Sequence, residues 1–449
     1  MAEVDRILRT HGLVKEHDIP LVSSTVLLAA QEAASGRLDC TDARQTDIAK
    51  ILSAVQELVQ KSGADPAQAE IMLSEIRSAF SSARLNEADS SLGASPLRKC
   101  IDILRNVLED AEESVFFDFN ECFMHLSSED RQTLGIVMTP DHVCSLMCDL
   151  VGLNESDVVL DPACGTGNFL AEAVRRLSKR MDRSAAADRV HGFEIQSDIF
   201  AAAAAGMLAY GNGNFNVSCM DFLKQDAEKI KREICPTVGL INPPYSQGTK
   251  ADPSKYELAF AERLLDSMAV GGRMAMIAPQ SSMTGKTKDE RKIKMRILEK
   301  HTLEGVITCN LNTFFGFGVH PVIAVFTAGI PHPAGHSCRF IDFRDDGWNV
   351  RPHIGLVPDA SVSEKMSMLL SVWNGESEAL SKFCVKSEAS AEDEWLHSYF
   401  WFNDEIPSDA DFERTVSDYL TFEFSMIMQG REYLFRKLPE KERLDASVC

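Results

Sequence analysis

The sequence predicts an α/β fold, a mostly parallel sheet with helices on both faces, set behind an all-helical N-terminal region. Three observations carry this. Val158, Val159 and Leu160 form a short apolar run of the kind that builds a strand buried on both faces, and Gly165 and Gly167 open a tight turn before a helical run, Asn168 to Lys179. Two further apolar runs end in polar residues, Val190 to Ile195 (acid Glu194) and Gly239 to Ile241 (then Asn242). Before about residue 130 the apolar spacing is helical, as in Ile51, Val55, Leu58 and Val59, then Ile71, Leu73, Ile76 and Phe80.

Strand, glycine turn and helix start together read as a ligand-binding unit or, taken alone, as an ordinary tight turn. A side chain at Gly165 or Gly167 would keep the backbone from a ligand, and the free N–H groups of the new helix favour negative charge. After it the chain continues with the strand ending at Glu194, an alanine-rich helix Asp198 to Tyr210, and a strand near Val217 to Met220 that ends at Asp221 and Phe222. Later strands fall at Met274 to Ala278, Gly305 to Cys309 and Val322 to Phe326.

The string Asp161-Pro162-Ala163-Cys164-Gly165-Thr166-Gly167-Asn168-Phe169-Leu170 resembles the S-adenosylmethionine loop of DNA adenine-N6 methyltransferases, above all the modification subunits of type I restriction-modification systems. Asn168 stands where Gly or Ser is usual. Some eighty residues on, Asn242-Pro243-Pro244-Tyr245 resembles the family's catalytic (Asn/Asp)-Pro-Pro-(Tyr/Phe) element. The segment Gly135-Ile136-Val137-Met138-Thr139-Pro140 is similar to the family's stretch bordering the methionine end of the cofactor, with Val137 and Met138 in place of aromatics. Taken alone, Thr139-Pro140 also reads as a helix cap followed by a first-turn proline. The resemblance spans about residues 131 to 330 and implies a Rossmann-like, seven-stranded S-adenosylmethionine-dependent methyltransferase domain.

It also implies roles. Thr139, the loop Asp161 to Phe169 and Asn242 would border S-adenosyl-L-methionine. Glu194 would accept from its ribose hydroxyls, as a strand-end carboxylate does in nucleotide-type folds, with Ile195 beside it. Asp221 would take the adenine amine and Phe222 would line that pocket. The exocyclic amine of a target adenine is a poor nucleophile, because its lone pair is delocalised into the ring. If Asn242 and the carbonyl of Pro243 each accept one N–H, that pair is aimed at the methyl, by positioning and by hydrogen bonds that strengthen as charge develops. Pro243 and Pro244 stiffen the turn. Tyr245 offers an aromatic face to a base flipped out of the duplex, with Phe314, or else Phe315, as a second face.

The formal net charge is −21, so a nucleic-acid enzyme of this composition lacks an overall basic footprint. The run Lys286, Lys288, Arg291, Lys292, Lys294, Arg296 is either a phosphate track or a solvated helix face. The twelve cysteines contain no Cys-x-x-Cys pair and read as reduced thiols, with no metal site. No apolar run reaches a membrane span, and a cytoplasmic protein is expected. Three domains are expected: a helical domain over 1–130 with a loop or hinge at Ser81 to Ser95, a catalytic domain over 131–330, and a C-terminal extension over 331–449. The extension holds all four tryptophans among acidic stretches, as a surface for another protein or as a module packed on the core.

The expected activity is methyl transfer to adenine N6 in double-stranded DNA, with a separate DNA-specificity subunit reading the sequence and, where the system carries one, a restriction subunit. A homo-oligomer is left open. Alternatives are a freestanding adenine methyltransferase reading its target through 331–449, a protein glutamine-N5 methyltransferase, which shares Asn-Pro-Pro-Tyr, and a cofactor-binding scaffold without turnover.

Overall fold

The computed structural model describes residues 2–39, 45–89, 95–110, 138–211, 213, 215–249, 251–315, 317–351, 355–403 and 408–431. The expectations for Gly135 to Val137, Gly316, part of the acidic stretch after residue 403 and the boundary at 130 lie outside these residues.

The central sheet starts from β1 (Val159–Asp161), all three residues buried. β2 (Val190–Glu194), β3 (Asn216–Cys219), β4 (Val238–Ile241) and β5 (Arg273–Pro279) join it in parallel, in the order β5-β4-β1-β2-β3. β7 (Pro321–Thr327) then enters antiparallel between β5 and β6 (Thr302–Thr308), which completes seven strands. The sheet does not stop there. β8 (Cys338–Asp342) pairs in parallel with β6, and β11 (Cys384–Ser387) pairs with β8, so nine strands run in the order β11-β8-β6-β7-β5-β4-β1-β2-β3. A separate hairpin is formed by β9 (Trp348–Arg351) and β10 (Gly355–Pro358).

Side chains alternate between two cores, one on each face. Val159, Leu240, Ala275 and Ile277 enter the first, and Leu160, Ile241, Met274 and Met276 the second. The N-terminal helices share the first core with the sheet. Helices α1 (Ala2–Arg9), α2 (Ile19–Ala34), α3 (Asp47–Lys61), α4 (Pro66–Ala79), α5 (Ala83–Asp89) and α6 (Pro96–Asp110) are followed by α7 (Asp141–Leu150) and α8 (Asn168–Leu177). α2 is apolar on every side because it is enclosed between α6 and α9 (Ser197–Tyr210), whose alanines at 201–205 let the helices approach closely. The stretch expected as a loop at Ser81 to Ser95 contains α5. Leu85 is fully buried there, and the Asp89 carboxylate accepts from Ile48 N and Ser95 Oγ at 2.9 and 2.8 Å, which ties the end of α5 to α3 and to the residue ahead of α6.

Residues 331–401 belong to the same compact unit as the sheet rather than standing apart. Trp395 is fully buried in the second core, and Trp373, on helix α12 (Val362–Trp373), packs in the first and donates its indole N–H to Leu150 O at 3.0 Å. Helices α10 (Glu257–Asp266) and α11 (Lys288–Lys300) lie between, on the second face. Residues 402–449 form a second unit, whose described residues include helix α13 (Asp409–Met428), opened by a Ser408/Asp411 capping box. Among the described residues no helix is long and apolar enough to cross a membrane.

Candidate active site

The glycine turn behaves as its residues require. Gly165 and Gly167 both take positive φ, +53° and +92°, where an L side chain is strained, and a Cβ built on Gly165 meets nothing within 4 Å. It would project into a cleft of about 1110 Å³ at the C-terminal strand ends. Pro162, Ala163 and Gly165 form one wall of this cleft, with Glu194, Ile195 and Gln196 after β2, Met220, Asp221 and Phe222 after β3, and Asn242 to Tyr245 after β4. Seven of the sequence-predicted positions thus come from three different strand ends besides the Asn-Pro-Pro-Tyr turn, and all face one space.

Cys164, Asn168 and Phe169 point into the protein. Asn168 is useful there. Its Nδ2 donates to Thr139 O at 3.0 Å, which ties the first turn of α8 to the segment ahead of α7. Thr139 is buried, and its hydroxyl accepts from Asn242 Nδ2, also at 3.0 Å. The Thr-Pro segment, the glycine loop and the Asn-Pro-Pro-Tyr turn are therefore joined by two side-chain amides.

Glu194 organises the cleft floor. One carboxylate oxygen accepts from Gly165 N at 3.1 Å and the other from Gln196 N at 2.9 Å. Burial raises its pKa, against the backbone donors that hold the charge. Asp161, fully buried at the end of β1, is pushed up to about 8 by burial, with the nearby Glu194 charge adding to the rise and the Ala163 N–H opposing it. Asp221 faces the cleft while its carboxylate accepts from Leu223 N at 3.1 Å and pairs with Lys224 at 2.8 Å. Phe222 is buried with its ring 6.2 Å from that of Phe193.

At the far end of the turn, Ser246 takes φ +59°, a left-handed conformation unusual for serine, and donates its N–H to Glu257 Oε1 at 2.8 Å. Glu257 opens α10, so this helix holds the turn in place. Tyr245 meets Phe314 edge to face, ring centroids 6.1 Å apart. Its hydroxyl is buried and has no hydrogen-bond partner among the described residues. Phe314 is buried and Phe315 exposed, and neither lines the cleft. Gln196, Met220 and Gln247 line it without having been singled out from sequence. Gln196 had a signal: it lies two residues past a strand-end acid, where its N–H turns back to that carboxylate.

The cationic run is not a free basic patch. Lys294 is fully buried, donates to Met283 O and Asp393 O at 2.7 Å each, and lies 4.5 Å from the Trp395 ring centroid. Arg296 is held by Glu262, Lys292 pairs with Asp289, and Arg291 with Glu392. Lys286 and Lys288 are exposed. Acidic neighbours thus pair three of the six cations and burial removes a fourth from reach of phosphates.

The residues present fit S-adenosylmethionine. A glycine turn leaves backbone-close space, a strand-end carboxylate lies beside it, and an apolar floor of Ile195, Met220 and Phe222 adjoins both. Comparison with known proteins agrees. The profile of the N-6 DNA Methylase family matches residues 111–393. The type II restriction enzyme and methyltransferase RM.BcgI of Heyndrickxia coagulans is 36% identical over 460 residues, covering 98% of this chain and 71% of that protein. Among solved structures, a modification subunit assigned to a type I restriction enzyme of Vibrio vulnificus YJ016 superposes with a TM-score of 0.63 at 14% identity, covering 92% of this chain and 97% of that one. The type I methyltransferase subunit of Streptococcus thermophilus gives 0.54 at 17% identity, over 89% and 96% of the two chains. These structures share the fold, and with the family profile and the relationship to RM.BcgI they place the chain in the N-6 DNA methylase family, as a DNA adenine-N6 methyltransferase.

Proposed function

We propose that this chain is the modification component of a restriction-modification system, binding S-adenosylmethionine in the cleft between Gly165 and Asn242 and methylating N6 of an adenine flipped out of double-stranded DNA. When bound, the cofactor supplies an electrophilic methyl group on a sulfonium. The chain's own residues do the rest. Glu194 and the glycine loop orient the adenosyl half, and Asp221 and Phe222 border its base. The Asn242 side-chain oxygen and the Pro243 carbonyl each accept one N–H of the target amine, which turns its lone pair toward the methyl. As the new N–C bond forms and the methyl's bond to the sulfonium breaks, its electron pair staying on sulfur, positive charge grows on that nitrogen, the same two acceptors stabilise it, and the surplus N–H proton is then lost to water. A base of perturbed pKa is not required. Tyr245 receives the flipped base on its face, and Phe314 backs Tyr245 from the core side.

The observation that carries this reading is the Asn242 amide, fixed by Thr139 at 3.0 Å beside the glycine loop. The acidic balance and the largely paired cationic run support delivery of DNA by a specificity subunit, and the addition of β8 and β11 to the edge of the catalytic sheet supports this over target reading within 331–449. The test is long-read detection of methylated adenine in DNA treated with the purified chain, with and without its candidate specificity subunit. Site-specific N6-methyladenine that requires the second subunit is expected. Labelled methyl appearing in protein but not in DNA would select the glutamine alternative and overturn the proposal.

A further inference from the structure

Two polar side chains of α4 bond segments that flank the cofactor cleft. Gln68, in the first turn of α4, accepts the backbone N–H of Cys219 at 2.6 Å. Cys219 is the last residue of β3, the outermost strand on this side, so its N–H has no further strand to meet. The next residue, Met220, lines the cleft and donates its N–H to Glu194 O at 2.8 Å. Two turns further along the same helix, Glu75 accepts from the Ser197 hydroxyl at 2.7 Å. Ser197 opens α9 between the cleft-lining residues Gln196 and Ile199.

These contacts close a circuit. Glu194 holds Gly165 and Gln196 by its carboxylate and Met220 by its carbonyl, and α4 grips the two segments radiating from it, one at Cys219 and the other at Ser197. The helix interface elsewhere is mainly apolar, α2 against the alanines of α9 with one side-chain bond from Gln31 Nε2 to Ala209 O at 3.1 Å, and would hold the helices in place without help from either residue. The polar pair is concentrated at the strand ends, where the adenosyl half is read to lie.

We propose that Gln68 and Glu75 are positioning residues of the cofactor site, contributed by the N-terminal helices, so that cofactor binding and docking of α4 reinforce one another. The proposal rests on the reading of the cleft as the S-adenosylmethionine site. Coupling of this kind is reciprocal: whatever docking of α4 adds to cofactor affinity, the cofactor returns to the docking of α4.

Two measurements on the full chain test it. First, hydrogen exchange of the unaltered protein with and without S-adenosylhomocysteine: slower exchange of the backbone amides of 67–79, alongside those of 158–245, is expected. Second, calorimetric titration of S-adenosylmethionine and S-adenosylhomocysteine into Gln68→Met, which keeps length and loses the acceptor, Glu75→Leu, and Glu75→Gln, which keeps an acceptor oxygen. The first two should raise the dissociation constant about tenfold, the equivalent of about 1.4 kcal/mol. Glu75→Gln should restore it to within about threefold. A merely structural role would lower the melting temperature of Glu75→Leu and Glu75→Gln without separating their affinities. Unchanged exchange over 67–79, or affinities of Gln68→Met and Glu75→Leu within about twofold of the unaltered chain, overturns the proposal while leaving the cleft assignment intact. No binding to the unaltered chain overturns both.

Discussion

The side-chain amide of Asn242 donates to the hydroxyl of Thr139, 103 positions earlier in the chain, at 3.0 Å. This contact sets the amide's orientation at the end of β4 before any substrate arrives. Asn242→Ala should therefore lower the methylation rate by about 10²–10³-fold, the loss seen when a preorganised polar group is removed from the transition state, while cofactor affinity changes little. Thr139→Val, which leaves the asparagine but removes this contact to its amide, should cost about tenfold. Single-turnover kinetics with labelled cofactor measure both. A rate within a few-fold of the unaltered chain for Asn242→Ala would refute the acceptor mechanism.

At Gly165 the expected failure is of binding more than of folding. The backbone there has φ +53°, which costs a side chain about 1–2 kcal/mol, but nothing in the protein lies within 4 Å of an added Cβ. Gly165→Val should remain folded by circular dichroism and lose cofactor affinity by about a hundredfold or more, on the scale where about 2.7 kcal/mol is two decades. Normal titration by S-adenosylhomocysteine would mean that the ligand approaches from another side.

Tyr245 separates stacking from hydrogen bonding. Its hydroxyl is buried without a partner among the described residues, so Tyr245→Phe should leave thermal stability unchanged or raised, and methylation nearly intact. Tyr245→Ala should weaken productive DNA binding by the worth of one stacked base, about 1–3 kcal/mol. Equal damage from both substitutions would assign the work to the hydroxyl instead.

The pH dependence has a definite sign. Burial carries the Asp161 carboxyl from 3.8 up to about 8, so between those values the folded chain keeps a proton that the unfolded chain has released. This contribution to stability is fully present below pH 3.8 and is lost as pH rises through about 8. Asp161→Asn keeps an oxygen for the Ala163 N–H and cannot ionise. Its melting temperature relative to the unaltered chain should climb between about pH 5 and about pH 8.5. Parallel melting curves across that range would show Asp161 to be ionised throughout.

Trp395 tests the C-terminal half of the catalytic unit. It is fully buried, its ring centroid lies 6.2 Å from that of Phe326 on β7, and Lys294 lies over its face. Trp395→Ala should cost about 3–5 kcal/mol by denaturant unfolding. A loss under about 1 kcal/mol would show that residues 388–401 add little to the core.

What could be read from the sequence was what local chemistry dictates. The strand before Gly165, the strand-end Glu194 and the Asn-Pro-Pro-Tyr turn each announce themselves within a few residues, and the structure gathers them around one cleft. Pairing partners are a different matter, since nothing within Cys338–Asp342 states that it will lie beside Thr302–Thr308. Lys294 misleads for a similar reason. In a run of like charges it reads as solvated, and only the fold shows two carbonyls and an indole waiting for it. Gln68 and Glu75 carry no signal at all, because their partners lie 151 and 122 positions away.

The nine-strand order has a practical consequence. A shortened protein ending near residue 330, where the motifs legible in the sequence end, would strip β6 of the neighbour it holds at Gly305 to Thr308. The bared backbone would offer N–H and C=O groups to any passing chain, a template for self-association. A minimal soluble enzyme should instead keep the sequence through Trp401, where the first compact unit closes.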